Sequence, residues 1–276
     1  MKRIALYLLL SCWTFVLTAQ TEESYMDLVK TEKQLHGMFE KLYGEEMPGM
    51  QLSLFLQIDS LFFSTLSKAE SFNYSWKELD KIGKLQSEDG KVKIFSYLYM
   101  VNRNDYRYQA FIQVRKDKNK VEVFRLQPGN STDIYFEEFK QSVDNWHGKI
   151  YYDLVTTTYK RKVFYTLIGA DFKDSNSSLK TIEVVSIQRG KPVFRGDQFL
   201  SNGAVKDRVV LEFSADLAAS VRYNTELKMI VHDHLAPLHP IYTGNFQFYG
   251  PDGSYDGFRF IDGIWVLEED VDARNQ

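Results

Sequence analysis

The most informative stretch for the architecture lies near the C-terminus and consists of Phe258-Arg259-Phe260-Ile261-Asp262-Gly263-Ile264-Trp265. Two runs rich in aromatic and β-branched residues flank the pair Asp262-Gly263. An Asp-Gly pair between such runs is the strongest local signal for a β-hairpin with a two-residue turn. Strands joined by so short a turn are antiparallel, because the chain reverses its direction at once. The stretch therefore predicts an antiparallel sheet rather than a parallel α/β fold.

The strand pattern continues through the whole C-terminal half. Alternating or aromatic-rich segments, separated by turns that carry Gly, Asn, Asp and Ser, indicate further strands. Residues 146–276 are therefore predicted to form one mainly antiparallel β domain, a sandwich or a curled sheet. The predicted strands cover residues 149–158, 161–171, 179–188, 208–214, 219–223, 227–233, 244–249, 257–261 and 264–268.

Residues 21–145 begin with a different periodicity. Apolar residues recur at helical spacing in residues 24–43 and 50–67, which predicts a helical hairpin. The segment Ser75-Trp76-Lys77-Glu78 has the pattern of a capping box and predicts a short third helix that ends near residue 84. A three-stranded antiparallel meander is then expected, followed by a short helix at residues 134–143. The predicted fold class is α+β.

The meander is predicted from a change of period after Asp89-Gly90. Its strands cover residues 92–101, 106–114 and 121–126, and a charged hairpin loop at residues 116–120 joins the last two. Apolar side chains occur at both odd and even positions of the first strand. Both of its faces are therefore expected to be buried.

The N-terminus has the pattern of a secretory signal peptide over residues 1–20. Lys2 and Arg3 precede an uncharged run of 14 residues, 4–17, and small or polar residues follow it. A membrane-spanning helix needs roughly 20 apolar residues, which disfavours a retained signal anchor. Leu9-Leu10-Ser11-Cys12 loosely resembles a bacterial lipobox, so lipidation of Cys12 is a third option. We expect a periplasmic, cell-envelope or secreted protein.

Composition limits the classes of function. Without Lys2 and Arg3, 32 basic residues face 37 acidic ones, a net charge near −5, and the two signs are interspersed. No electrostatic footprint for nucleic acid results. Cys12 is the only cysteine, so the mature chain has no thiol for catalysis or for disulfides. No later segment has the apolar length of a transmembrane helix.

Several motifs in residues 147–276 resemble those of an uncharacterised family of exported bacterial proteins. The resemblance implies export and carries no known activity. Its motifs are Gly190-Lys191-Pro192-Val193-Phe194, Arg208-Val209-Val210-Leu211-Glu212-Phe213-Ser214, Val221-Arg222-Tyr223-Asn224, Ile230-Val231-His232-Asp233-His234-Leu235, Tyr249-Gly250-Pro251-Asp252-Gly253-Ser254-Tyr255-Asp256-Gly257 and Glu269-Asp270-Val271-Asp272-Ala273-Arg274-Asn275.

The first candidate site is a calcium loop formed by Asp252, Ser254 and Asp256. Oxygen ligands at alternate positions followed by glycine match the first half of such a loop. The twelfth position from Asp252 is Gly263 rather than glutamate, so the loop is not an EF-hand. The alternative is a turn in which both aspartates bind nearby amides and the glycines adopt positive φ.

The second candidate is a metal site formed by His232, His234 and His239. Residues 232 and 234 of a strand point to the same face, and two imidazoles with a third from His239 could hold zinc. Glu212 or Asp256 could then act as base toward a metal-bound water. The alternative is a set of structural or surface histidines.

No nucleophile elbow, zincin motif, phosphate-binding loop or dinucleotide fingerprint is present in the sequence. Aromatic residues make up 15% of the chain, which fits sheet packing or an exposed platform for sugars and peptides. The expected function is a non-catalytic envelope protein that binds a partner protein or a glycan, with a structural calcium ion as an option. The alternative is a metal-dependent hydrolase that uses the His-x-His cluster.

Overall fold

The computed structural model describes residues 2–44, 51–102, 105–129, 137 and 139–273, except for the side chains of residues 2–21 and 102. The chain divides into two compact units. The first comprises Met1–Asp80 and Asp117–Val121, and the second comprises Lys81–Lys116 and Glu122–Gln276. Two α-helices are followed by mostly antiparallel sheets, which confirms the α+β class.

The first unit contains the helices α1 (Lys2–Tyr43) and α2 (Gln51–Leu66). Helix α2 is close to its predicted position, while α1 ends where predicted but begins 22 residues before the predicted start at residue 24. Helix α1 also includes the predicted signal segment, whose cleavage stays a prediction. Among the described residues, no helix combines the length and apolar character needed to cross a membrane. Each helix buries one apolar stripe, as the spacing predicts. The buried members include Leu28, Leu35, Phe39 and Leu42 of α1, and Phe55, Ile58, Phe62 and Leu66 of α2.

The predicted third helix is wrong, because a distant carboxylate takes the place of the local cap. The Glu78 amide, which would close the capping box with Ser75, donates instead to Glu32 Oε1 at 2.9 Å. The second oxygen of Glu32, which is buried, accepts a hydrogen bond from the Tyr74 hydroxyl. Trp76 has a φ of 51°, a left-handed conformation that no right-handed helix contains.

The second unit contains nearly all residues of three sheets. All pairings with a known register are antiparallel except that of β9 with β15, which is parallel.

The first sheet has the order β1-β2-β3-β4, with strands β1 (Gly83–Gln86), β2 (Val92–Asn102), β3 (Asp105–Asp117) and β4 (Lys120–Leu126). The central sheet has the order β11-β7-β6-β5, with β8 also paired to β7; its strands are β5 (Ile150–Tyr159), β6 (Lys162–Asp171), β7 (Ser177–Gln188), β8 (Lys191–Phe194) and β11 (Val209–Ser214). The third sheet has the order β10-β9-β15-β14-β13-β12, with strands β9 (Phe199–Ser201), β10 (Ala204–Lys206), β12 (Val221–Asn224), β13 (Met229–Pro237), β14 (Tyr249–Ile261) and β15 (Ile264–Glu268).

Most strand predictions agree with the structure to within a few residues, and the Asp-Gly hairpin is confirmed. Ile261 pairs with Ile264, while Asp262 and Gly263 have φ angles of 50° and 95°. Strands β1, β8, β9 and β10 were not predicted. The strand predicted at residues 244–249 is wrong, because a 3-10 turn covers Phe246–Phe248 and β14 begins at Tyr249.

The helix predicted at residues 134–143 falls partly outside the described residues. Residues 134–136 and 138 are among those not described, and residues 139–143 are not helical. The segment from Ser142 to Trp146 instead forms a tight turn and two isolated β-bridges. No part of the described segment therefore supports this helix.

Both faces of the central sheet are apolar. Successive side chains of a strand point to opposite faces. In β6, Tyr165 and Leu167 join a core cluster with residues of the first sheet, such as Ile94 and Ile112. On the other face, Phe164 and Ile168 join a cluster with residues of the third sheet, such as Phe258 and Trp265. The interior of this unit therefore lies on either side of β6 and β7.

Candidate functional site

The three residues of the predicted calcium loop lie in strand β14. Asp252 Oδ1 accepts hydrogen bonds from the backbone amide of Ser254 at 2.9 Å and from its hydroxyl at 2.7 Å. Asp256 Oδ1 accepts from the Asp270 amide at 3.1 Å, and its Oδ2 lies 2.7 Å from His234 Nδ1. Each carboxylate is therefore bonded to nearby groups, as the turn alternative expects.

The predicted histidine cluster is only partly assembled. His232 lies opposite Asp256 in the pairing of β13 with β14, and His234 binds the same aspartate. That hydrogen bond is the main cause of the raised pKa of His234. His239 instead begins a 3-10 turn, where its Nδ1 accepts from the Ile241 amide at 3.3 Å. The structure brings two of the three imidazoles to Asp256 and leaves His239 apart.

The protonation of His232 follows from its contacts. Its Nδ1 lies 2.9 Å from the carbonyl oxygen of Asp233, which can only accept, so Nδ1 carries the proton. Nε2 is then a buried acceptor with no hydrogen-bond partner. Burial is the main cause of the lowered pKa of this imidazole. His232 is therefore a neutral residue of the strand pair.

Within the described part of the chain, no three or more His, Cys, Asp or Glu residues are placed to share a metal ion. Glu212, one of the two predicted bases, lies on β11 and is bonded to Lys173 at 2.7 Å. The calcium and zinc hypotheses stay predictions. The described residues provide no complete set of ligands for the calcium ion or for the zinc ion.

A group of buried charged residues that sequence reasoning did not single out lies in the second unit. We call it the buried charge network. Its side chains come from the segment just before β5, the end of β6, the middle of β7 and the residue before β11. All five residues are no more than 5% exposed: His147, Lys149, Asp171, Glu183 and Arg208.

Glu183 is the central acceptor of this network. Its Oε2 lies 2.7 Å from Lys149 Nζ, and Tyr151 and Gln141 also donate to the carboxylate. Burial alone would raise the pKa of Glu183, but the charges of Lys149 and Arg208 outweigh it and lower that pKa. Burial lowers the pKa of Lys149 to about 8, against the opposing attraction of Glu183. Both partners are thus charged at neutral pH.

His147 connects Asp171 to Arg208. Its Nε2 lies 2.9 Å from Asp171 Oδ2 and its Nδ1 lies 3.2 Å from Arg208 Nη1. A guanidinium group can only donate, so Nδ1 accepts and Nε2 carries the proton that is donated to Asp171. Burial, with the charge of Lys149, lowers the pKa of His147 to about 4. Both ring nitrogens are occupied, which leaves no lone pair for a base or for a metal ion.

Stability alone does not account for five buried charged residues, because desolvation of an ion pair often exceeds the Coulomb energy gained. A cavity of 390 Å³ lies next to the network and gives a second reason for it. Arg208 and Glu183 line this cavity, and the other members of the network hold both of them in place. The remaining lining residues are Phe139, Lys140, Gln141, Val184, Phe194, Arg195, Gly196, Asp197 and Asp207.

The sequence contains one signal for this site. Glu183 interrupts an apolar run in β7, between Ile182 and Val184. A charge flanked by apolar residues inside a strand that is buried on both faces requires a partner, because an unpaired buried charge is costly. That partner, Lys149, lies 34 residues away and cannot be identified from spacing.

No protein-family model matches this chain, and neither does any curated protein or solved structure that was compared with it.

Proposed function

We propose that this protein is a non-catalytic binding protein, and that its 390 Å³ cavity takes a small polyhydroxylated ligand, such as the end of a glycan. One observation carries the proposal. The cavity combines three cationic side chains, three carboxylates and an amide, and two of the charged groups are fixed by the buried charge network. Polar groups whose orientation is fixed by hydrogen bonds to other protein side chains are typical of binding sites.

The balance of charges favours a neutral ligand. Lys140, Arg195 and Arg208 supply donors, while Glu183, Asp197 and Asp207 supply acceptors. A sugar hydroxyl donates one hydrogen bond and accepts others, so it can use both kinds of group. Such a ligand also brings no net charge that the lining would leave uncompensated.

Two phenylalanine rings add apolar surface to the lining of this cavity. Phe139 and Phe194 line the same cavity, and an aromatic face can contact the C–H face of a sugar ring. Phe139 also lies 5.4 Å from the Arg208 guanidinium group, which fixes the two side chains against each other. The cavity volume is within the range of about 300–1,000 Å³ that small-molecule sites have.

Two basic groups of the buried charge network already have partners, which favours a binding role for the cavity. His147 uses both ring nitrogens, and Lys149 is held by Glu183. The alternative of a metal-dependent hydrolase gains no comparable support, since of its three predicted ligands only His234 forms a hydrogen bond to Asp256.

Export, family membership and the sandwich architecture belong to the same proposal. The uncharged run after Lys2 and Arg3 supports export through a signal peptide over residues 1–20. The motifs in residues 147–276 support membership of the exported bacterial family. The two core clusters on opposite faces of the central sheet support a layered β domain.

A panel of neutral monosaccharides and disaccharides, tested by isothermal titration calorimetry, examines this proposal. We expect at least one sugar to bind, and the double variant Lys140→Gln/Asp197→Asn, at exposed positions of the lining, to weaken that binding several-fold. The control Lys68→Gln/Asp216→Asn changes the same residue types at exposed positions outside the lining. The absence of sugar binding, or equal binding by both double variants, would contradict the proposal.

A further inference from the structure

We infer that a second cavity, of 570 Å³, is a site for a small anionic molecule that carries a phosphate or sulfate group on an apolar body. The cavity lies in the second unit, where the end of β3, the start of β6 and the end of β7 meet. Five of its lining residues are cationic, and the described lining contains no carboxylate: Lys91, Arg115, Arg161, Lys162 and Arg195. The inference does not depend on the sugar site.

This concentration of positive charge runs against the charge of the whole chain, which is −3. Five cations around one cavity repel each other, and the low dielectric of the protein walls strengthens their field. Asp89 lies 4.0 Å from Lys91 and also accepts a hydrogen bond from the Tyr165 hydroxyl. A bound anion would relieve the repulsion that remains.

Arg195 supplies a specific contact for such an anion. Its Nε is buried and has no hydrogen-bond partner, although buried donors are nearly always paired. Its own backbone is held in place, since the Arg195 amide donates to the Val184 carbonyl at 2.8 Å. The planar guanidinium group matches the geometry of phosphate and sulfate oxygens and binds them in bidentate fashion. An oxyanion is therefore the acceptor that this donor lacks.

Two of the five cations of this cavity lie on the protein surface. Arg161 and Lys162 are exposed and lie at the turn between β5 and β6. No ion pair within the described part of the chain involves either residue. Both side chains can therefore turn toward an anion at little cost in broken contacts.

The other walls of the cavity define the body of the ligand. Val114, Val163, Phe164 and Ile187 supply apolar surface, and Tyr165 supplies an aromatic ring. An inorganic ion alone would leave this surface without a contact. The volume is that of a small-molecule site, so a compact anion fits better than a nucleic-acid strand, which needs an extended basic groove.

The test uses isothermal titration calorimetry on the full chain with phenyl phosphate, inorganic phosphate and phenol. We expect phenyl phosphate to bind more tightly than inorganic phosphate, and phenol not to bind. The affinity for phenyl phosphate should fall as sodium chloride is added, because salt screens the cations.

Two variants test the assignment of residues. Arg161→Gln/Lys162→Gln changes only exposed turn side chains and should lower the affinity about tenfold, since hydrogen bonds to charged groups are individually strong. Arg195→Gln should lower it at least as much. Arg222→Gln, an exposed arginine on β12, is the matched control and should change nothing. Thermal unfolding of each variant verifies that the fold is retained.

Three results would overturn the inference: no heat from millimolar phenyl phosphate, unchanged affinity in the Arg161/Lys162 variant, or tighter binding of single-stranded DNA than of phenyl phosphate. The two proposed sites can fail separately. Arg161→Gln/Lys162→Gln should leave sugar binding unchanged, and Lys140→Gln/Asp197→Asn should leave phenyl phosphate binding unchanged. Arg195 lines both cavities, so its variant is compared in both assays.

Discussion

Glu183 and Lys149 should not be equally important for stability, although they form one buried ion pair. Replacement of Glu183 by glutamine keeps the shape of the side chain but leaves two buried cations, Lys149 and Arg208, without this carboxylate. Replacement of Lys149 by methionine leaves Glu183 with the Tyr151 hydroxyl, the Gln141 amide and the charge of Arg208. These contacts therefore predict a larger loss of folding stability for Glu183→Gln.

The magnitudes follow from the contacts that are lost. Removal of one partner of a buried pair costs about 3–5 kcal/mol when the other charge is left uncompensated. We expect Glu183→Gln to lie in this range. Loss of a single charged hydrogen bond, with other donors still in place, costs about 1–3 kcal/mol, which we expect for Lys149→Met.

Urea unfolding, followed by tryptophan fluorescence, measures both losses. A free-energy loss of about 4 kcal/mol would lower the midpoint by roughly 1 M or more. The pair Lys173 and Glu212 is the matched control, because its 2.7 Å ion pair is partly exposed, at 23% and 20% of the side-chain surface. Glu212→Gln should cost about 1 kcal/mol or less. A loss for Glu183→Gln no larger than that for Lys149→Met would refute this account of the network.

Three further predictions concern other contacts. The pKa of His147 is lowered to about 4 from the ordinary 6.5, so its contribution to stability is full above pH 6.5 and is lost as the pH falls toward 4. This difference in pKa corresponds to about 3 kcal/mol. Between pH 7 and pH 4, the free energy of unfolding measured with urea should therefore fall by about 3 kcal/mol more in the wild type than in His147→Gln. Glu32→Gln should lower stability by about 1–3 kcal/mol, because the buried carboxylate accepts from the Glu78 amide; an unchanged urea midpoint would speak against this role. Gly263→Val should lower the melting temperature by several degrees, because φ is 95° and a Cβ would lie 2.6 Å from the Tyr159 ring; a melting temperature at or above that of the wild type would exclude the strain.

Local patterns in the sequence were sufficient where a single element determines the structure. Helix α2 and residues 24–43 of helix α1 follow from the 3.6-residue spacing of their apolar residues, and the hairpin at Asp262 and Gly263 follows from the turn type that Asp-Gly favours. The failed third helix shows the limit of this approach. Its cap depended on the Glu78 amide, and Glu32, 46 residues away, accepts that amide instead.

Only the tertiary structure could assemble the two cavities and the buried charge network. Lys149 meets Glu183 across 34 residues, and His147 meets Arg208 across 61. Each of these charges is ordinary in the sequence, since a charged residue beside a strand is usually solvated. They become a network because β11 pairs with β7 and both faces of the central sheet are covered. The spacing of apolar residues in the sequence indicates which face of a helix or strand is buried. The partner of a buried charge depends instead on which strands are neighbours in the folded sheet.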